Sequence, residues 1–82
     1  MSHVILFVDD EPEVLGLLRR AFPAQDGYEA LGASHGDEAL RILADRRIDL
    51  LVTDQRMPRM TGVELIERAR RLQPDLCAIL LT

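Results

Sequence analysis

Asp54 ends a short apolar run, L-L-V-T at residues 50–53, and the stretch Q-R-M-P-R-M-T-G follows it directly. A second apolar run, V-I-L-F-V at residues 4–8, also ends on acids: Asp9, Asp10 and Glu11. In open α/β sheets the ligand crevice lies beyond the carboxyl ends of the strands, so acids at such positions are placed for chemistry as well as solubility. Two parallel strands of this kind bring Asp9, Asp10 and Asp54 to one sheet edge. Carboxylates gathered there repel one another, and the cluster needs a bound cation or shared protons to be tolerated.

The elements that must deliver these acids are legible along the chain. Both apolar runs are too short for helices and rich in branched residues, as strands buried on both faces are. Pro12 suits the first position of a helix, where its missing N–H costs nothing. Val14, Leu15, Leu18, Ala21 and Phe22 then recur at helical spacing until Pro23 ends the pattern. After a polar turn, residues 28–33 form a weaker strand suited to a sheet edge. A second helix begins near Gly36, turns Ala39, Leu40, Leu43 and Ala44 inward, and places Arg46 and Arg47 in its last turn, at the negative end of the helix dipole. Thr61-Gly-Val-Glu64 is a capping box for a third helix, whose inner face is Leu65, Ile66, Ala69 and Leu72. Residues 76–81 are a fourth apolar strand, reaching Thr82. The order βαβαβαβ implies parallel pairing by right-handed crossovers, with helices on both faces of the sheet.

Composition narrows the classes. Eighty-two residues, 48% hydrophobic and 29% charged, suit one small globular domain over residues 1–82. A domain of this size buries only about 60 to 65% of its unfolded surface. The net charge of −4 gives no footprint for direct nucleic-acid binding. No apolar run is long enough for a membrane span, and the N-terminus has no signal-peptide pattern. Cys77, the single cysteine, reads as a small buried hydrophobe and is consistent with a reducing, cytoplasmic setting. His3 and His35 lack metal-ligand spacing and read as surface residues. Met57 and Met60 are expected to pack the loop onto the sheet, and Glu11 to start the first helix. Arg56, Arg59, Arg68, Arg70 and Arg71 read as a solvated face.

V-D-D-E-P at residues 8–12, T-D-Q-R-M-P-R-M-T-G at residues 53–62 and a strand ending in Thr82 stand in one order and at one spacing. In this the chain resembles the receiver domain of two-component response regulators. The resemblance implies a flavodoxin-like, CheY-like doubly wound parallel sheet, here of about four strands and three helices. It implies that Asp54 accepts a phosphoryl group from a sensor histidine kinase or a histidine phosphotransfer protein, to switch an output domain that these residues do not specify. It also implies Mg²⁺, bound by Asp10, Asp54 and the backbone carbonyl of Arg56, with Asp9 acting through water. Thr82 would be the switch hydroxyl that turns towards the phosphoryl group. The chemistry agrees: Mg²⁺ takes oxygen ligands and is held by one or two carboxylates plus a phosphoryl oxygen. Phosphoryl transfer needs an in-line nucleophile and positive charge on the equatorial oxygens.

Family domains continue with another helix, a fifth strand that ends in a Lys, and a closing helix. The ten cationic residues here are all Arg, and the resemblance stops at the fourth strand. The expectation is weakened Mg²⁺ binding with poor phosphorylation and readout, and a homo-oligomer formed through the exposed last strand. The alternative class is a receiver-like dimerisation scaffold that does not switch. An aspartyl-phosphate hydrolase of another α/β family is disfavoured, because such enzymes carry a second acid two residues after the nucleophile, where this chain has Arg56. The module is thus a signalling phosphoacceptor more than an enzyme, and no phosphate-cradling Gly-rich loop indicates a nucleotide site.

Overall fold

Strands and helices alternate along the chain in the computed structural model, which describes residues 3–81. They are β1 (His3–Val8), α1 (Pro12–Ala21), β2 (Tyr28–Ala33), α2 (Gly36–Asp45), β3 (Leu50–Asp54), α3 (Gly62–Leu72) and β4 (Cys77–Leu81), with a 3₁₀ turn at Ala24–Asp26. The sheet is wholly parallel in the order β2-β1-β3-β4. The weaker strand β2 lies at one edge, as its mixed composition suggests, and the apolar β4 lies at the other among the described residues. Among the described residues, no helix is long and apolar enough to cross a membrane.

The sheet divides the core into two layers. Leu6, Val8, Leu51 and Thr53 face α2 and α3, where Ala39, Leu43, Leu65 and Ala69 close over them. Ile5, Phe7 and Val52 face α1, which contributes the half-buried Leu15 and Leu18, and Phe22 stacks beyond its end. No residue of α1 is fully buried, because one helix alone cannot seal that face.

Two inward assignments from the helical period are corrected. Ala44 is exposed and Ile42 packs against the core in its place, while Leu72 is 49% exposed. Near a helix end the apolar stripe runs off its support, and period alone does not say where. Arg46 lies one residue beyond α2 and forms a bidentate pair with Glu29 on β2, both bonds at 2.8 Å. This hydrogen-bonded guanidinium holds the Glu29 carboxyl below its usual range, and the carboxylate raises Arg46 in turn. Cys77 is exposed, not buried. The register pairs Cys77 with Leu50 and Ile79 with Val52, so Cys77, Ile79 and Leu81 share the α1 side of the sheet, and α1 does not reach them.

Gln73, at the end of α3, ties the lower loops together. Its Nε2 donates to the carbonyls of Leu43 and Arg46, both at 2.8 Å, and its Oε1 accepts the Ile48 N–H at 3.0 Å. Gln73→Ala removes three bonds worth about 0.5 to 1.5 kcal/mol each. A loss near 2 kcal/mol is expected, read as a lower urea midpoint at unchanged m-value. A midpoint within error of wild type would show that water replaces all three.

Candidate functional site

Chain direction alone carries the acids to one place. β1 and β3 are adjacent and parallel, in a register that pairs Val8 with Thr53, so the chain leaves the sheet on both strands at the same level. Asp9 is 8% exposed, Asp54 half-buried and Asp10 exposed. One carboxylate oxygen from each lies within 4.8 Å of those of the other two.

Each carboxylate is oriented by its own backbone surroundings. The Asp9 N–H extends the β1–β2 ladder by donating to the Ala33 carbonyl at 3.1 Å, and its Oδ1 accepts the Glu11 N–H at 2.9 Å. Glu11 sits at the N-cap of α1 and its carbonyl takes the first helical hydrogen bonds, in keeping with a helix-start role, but its side chain makes no cap bond. Asp54 Oδ1 accepts the Gln55 N–H at 2.8 Å. The buried Thr53 hydroxyl donates to the Asp54 carbonyl at 3.0 Å.

The loop after Asp54 is anchored from below. Met57 and Met60 are 8% and 5% exposed and pack onto the α2 and α3 layer, as their apolar character suggests. Met60 lies over Gly36, the first residue of α2. Arg56 and Arg59 are exposed. α3 opens with the expected capping box: Thr61 Oγ1 accepts the Glu64 N–H at 3.2 Å, and Glu64 Oε1 accepts the Thr61 N–H at 3.3 Å. His35 is likewise an exposed surface residue, but with a role its spacing did not suggest. Its Nδ1 accepts the Glu38 N–H at 3.2 Å and caps α2.

Arg59 occupies the left-handed region with φ +70°, where a side chain is strained and glycine is not. Arg59→Gly is expected to stabilise the fold by about 1 kcal/mol, less the entropy glycine adds to the unfolded chain. An unchanged or lower denaturation midpoint would show that the Arg59 side chain makes up for its backbone.

The model of the response regulator receiver domain matches residues 5–82. The chain belongs to this family. This receiver is 38% identical over 85 residues to transcriptional regulatory protein GlrR of Escherichia coli (strain K12), covering all of this chain and 19% of that protein. It is 33% identical over 82 residues to sporulation initiation phosphotransferase F of Bacillus subtilis (strain 168), covering all of this chain and 65% of that one. The receiver therefore spans less than two thirds of the length of either. Among solved structures, a chain in the crystal structure of histidine kinase ThkA in complex with response regulator protein TrrA superposes with a TM-score of 0.86. It is 38% identical, over 98% of this chain and 68% of that one. The βαβαβαβ sheet is thus the flavodoxin-like, CheY-like fold of a signalling domain. Asp9, Asp10 and Asp54 come together as the sequence implies, and the loop carries Arg56 beside them in the chain. Thr82, read as the switch hydroxyl, lies outside the described residues.

Proposed function

We propose that this receiver accepts a phosphoryl group on Asp54 from the phosphohistidine of a sensor histidine kinase or a histidine phosphotransfer protein, and so switches an output domain. The observation that carries the reading is the convergence of three carboxylates within 4.8 Å at the ends of β1 and β3 in a chain of this family. A carboxylate oxygen of Asp54 attacks phosphorus, the new O–P bond forms as the N–P bond breaks, and the imidazole leaves with its electron pair. The Gln55 N–H holds Asp54 Oδ1, which orients the carboxylate for attack. Mg²⁺ takes oxygen ligands from one or two carboxylates plus a phosphoryl oxygen, and the residues that would hold it are Asp10, Asp54 and the backbone carbonyl of Arg56, with Asp9 acting through water. When bound, Mg²⁺ supplies positive charge against the transferring phosphoryl oxygens. Thr82, next in the chain after Leu81, is the hydroxyl assigned to sense the phosphoryl group. A relative crystallised with a histidine kinase supports that class of partner, and the family supports action in the cytoplasm.

The test is labelling with acetyl phosphate in Mg²⁺, read by intact mass. Wild type should gain one phosphoryl group that hydroxylamine removes, and Asp54→Asn should gain none. Equal labelling of the variant would move the acceptor elsewhere. A second reading, a scaffold that associates through β4 without switching, is favoured by the place of that strand at the sheet edge among the described residues and by Ile79 and Leu81, 46% and 44% exposed. It gains if the 82-residue chain self-associates in light scattering yet takes up no label.

A further inference from the structure

The residue after Asp54 is bonded in more directions than a loop residue needs. The Gln55 N–H donates to Asp54 Oδ1 at 2.8 Å and to the Leu81 carbonyl at 3.3 Å. Its carbonyl accepts the Gly62 N–H at 3.2 Å, and its side-chain Oε1 accepts the Val63 N–H at 3.0 Å. Gly62 and Val63 are the first two residues of α3, whose N–H groups have no intrahelical partner. Thr61 satisfies the third, that of Glu64. Gln55 therefore caps half of the α3 N-terminus while its own N–H holds the carboxylate of Asp54 and the end of β4.

We infer that Gln55 is a positioning residue: its side chain, fixed by Val63, locks the peptide whose N–H aims the Asp54 carboxylate. The inference rests on reading Asp54 as the phosphoacceptor. Without the Oε1 bond, the peptide between residues 54 and 55 keeps the Thr53 hydroxyl on its carbonyl and the Leu81 carbonyl on its N–H, but loses its side-chain tie to α3, and the donor to Asp54 Oδ1 is held less firmly. A hydrogen bond that orients a metal-binding or reacting carboxylate typically alters affinity or rate by about 10- to 100-fold.

Gln55→Met keeps the length of the half-buried side chain and deletes the acceptor. Gln55→Glu keeps the acceptor. At saturating acetyl phosphate and Mg²⁺, the Met variant should be labelled about tenfold more slowly than wild type, and Mg²⁺ alone, followed by amide NMR, should bind it about tenfold more weakly. The Glu variant should be labelled within about threefold of wild type, since the carboxylate restores the bond to Val63. Equal rates and affinities for Met and wild type would overturn the inference, as would equal slowing by Met and Glu. Unfolding of the Met variant would make Gln55 a residue of the fold alone and overturn it too. If wild type binds Mg²⁺ but takes up no label, the phosphoacceptor reading falls, and Gln55 is judged on the Mg²⁺ affinities by the same criteria. No Mg²⁺ binding by wild type would end both.

Discussion

Gly62→Ala should cost the fold about 3 kcal/mol and displace Asp54 from its acidic neighbours. A Cβ built on Gly62 runs into the backbone carbonyl oxygen of Asp54 and stands 2.5 Å from Leu80 Cδ1. The Leu80 methyl can rotate away. The Asp54 carbonyl cannot, because it accepts the Thr53 hydroxyl at 3.0 Å and belongs to the last residue of a central strand. Either α3 backs away from the sheet, losing the Gly62 N–H bond to the Gln55 carbonyl, or the end of β3 shifts and carries Asp54 with it. Gly36→Ala is the useful contrast. Its Cβ would approach Met60 Sδ at 2.6 Å, but this is the flexible end of an unbranched side chain, and a cost near 1 kcal/mol is expected. Chemical denaturation of both variants, with amide spectra in the absence of Mg²⁺, separates the cases. If Gly62→Ala matched Gly36→Ala in stability and left the Asp54 amide unmoved, the close approach of α3 to β3 would not constrain the site.

What the sequence disclosed and what it hid follow from the range of each interaction. The capping box at Thr61 and Glu64 is a contact between residues three apart, so both partners are visible in one glance at the chain. The acidic cluster is also legible, although Asp9 and Asp54 are distant in sequence, because two apolar runs ending in acids need only pair in parallel to bring them together. Gln73 and Gln55 were not legible. A glutamine after a helix, or one between an acid and an arginine, has no typical partner, and what each bonds depends on which loop folds beside it. Cys77 misled for a related reason: a cysteine that opens an apolar strand suggests burial, but burial needs a neighbour, and α1 stops short of β4. Ala44 and Ile42 exchange roles because the helical period leaves the edge of an apolar stripe free by one position, and here α3 and the sheet settle it.

Asp54→Asn should make the metal-free chain more stable and at the same time remove most of its response to Mg²⁺. The two effects have one cause. Oxygens of three carboxylates lie within 4.8 Å of one another, and two unit charges at about 5 Å repel by about 1 kcal/mol in water and about 3 kcal/mol at an effective dielectric of 20. Asparagine removes one of the three charges and keeps the oxygen that accepts the Gln55 N–H, so the local geometry survives the change. A gain of about 1 kcal/mol is expected at neutral pH, or about 4 to 8 °C in melting temperature for a domain of this size. Wild type recovers more than that when a cation offsets the repulsion. At Mg²⁺ tenfold above its dissociation constant the linkage is about 1.4 kcal/mol, which is about 6 to 11 °C. The order of stabilities should therefore invert: the variant melts above wild type without Mg²⁺ and below it, or level with it, when Mg²⁺ is abundant. Sodium chloride at matched ionic strength distinguishes binding from screening, since screening raises wild type without saturating. An Asn variant less stable than wild type without Mg²⁺ would mean that the Asp54 carboxylate is held by its hydrogen bonds more strongly than its neighbours repel it. The cluster would then be a settled part of the fold and not a site that waits for a cation.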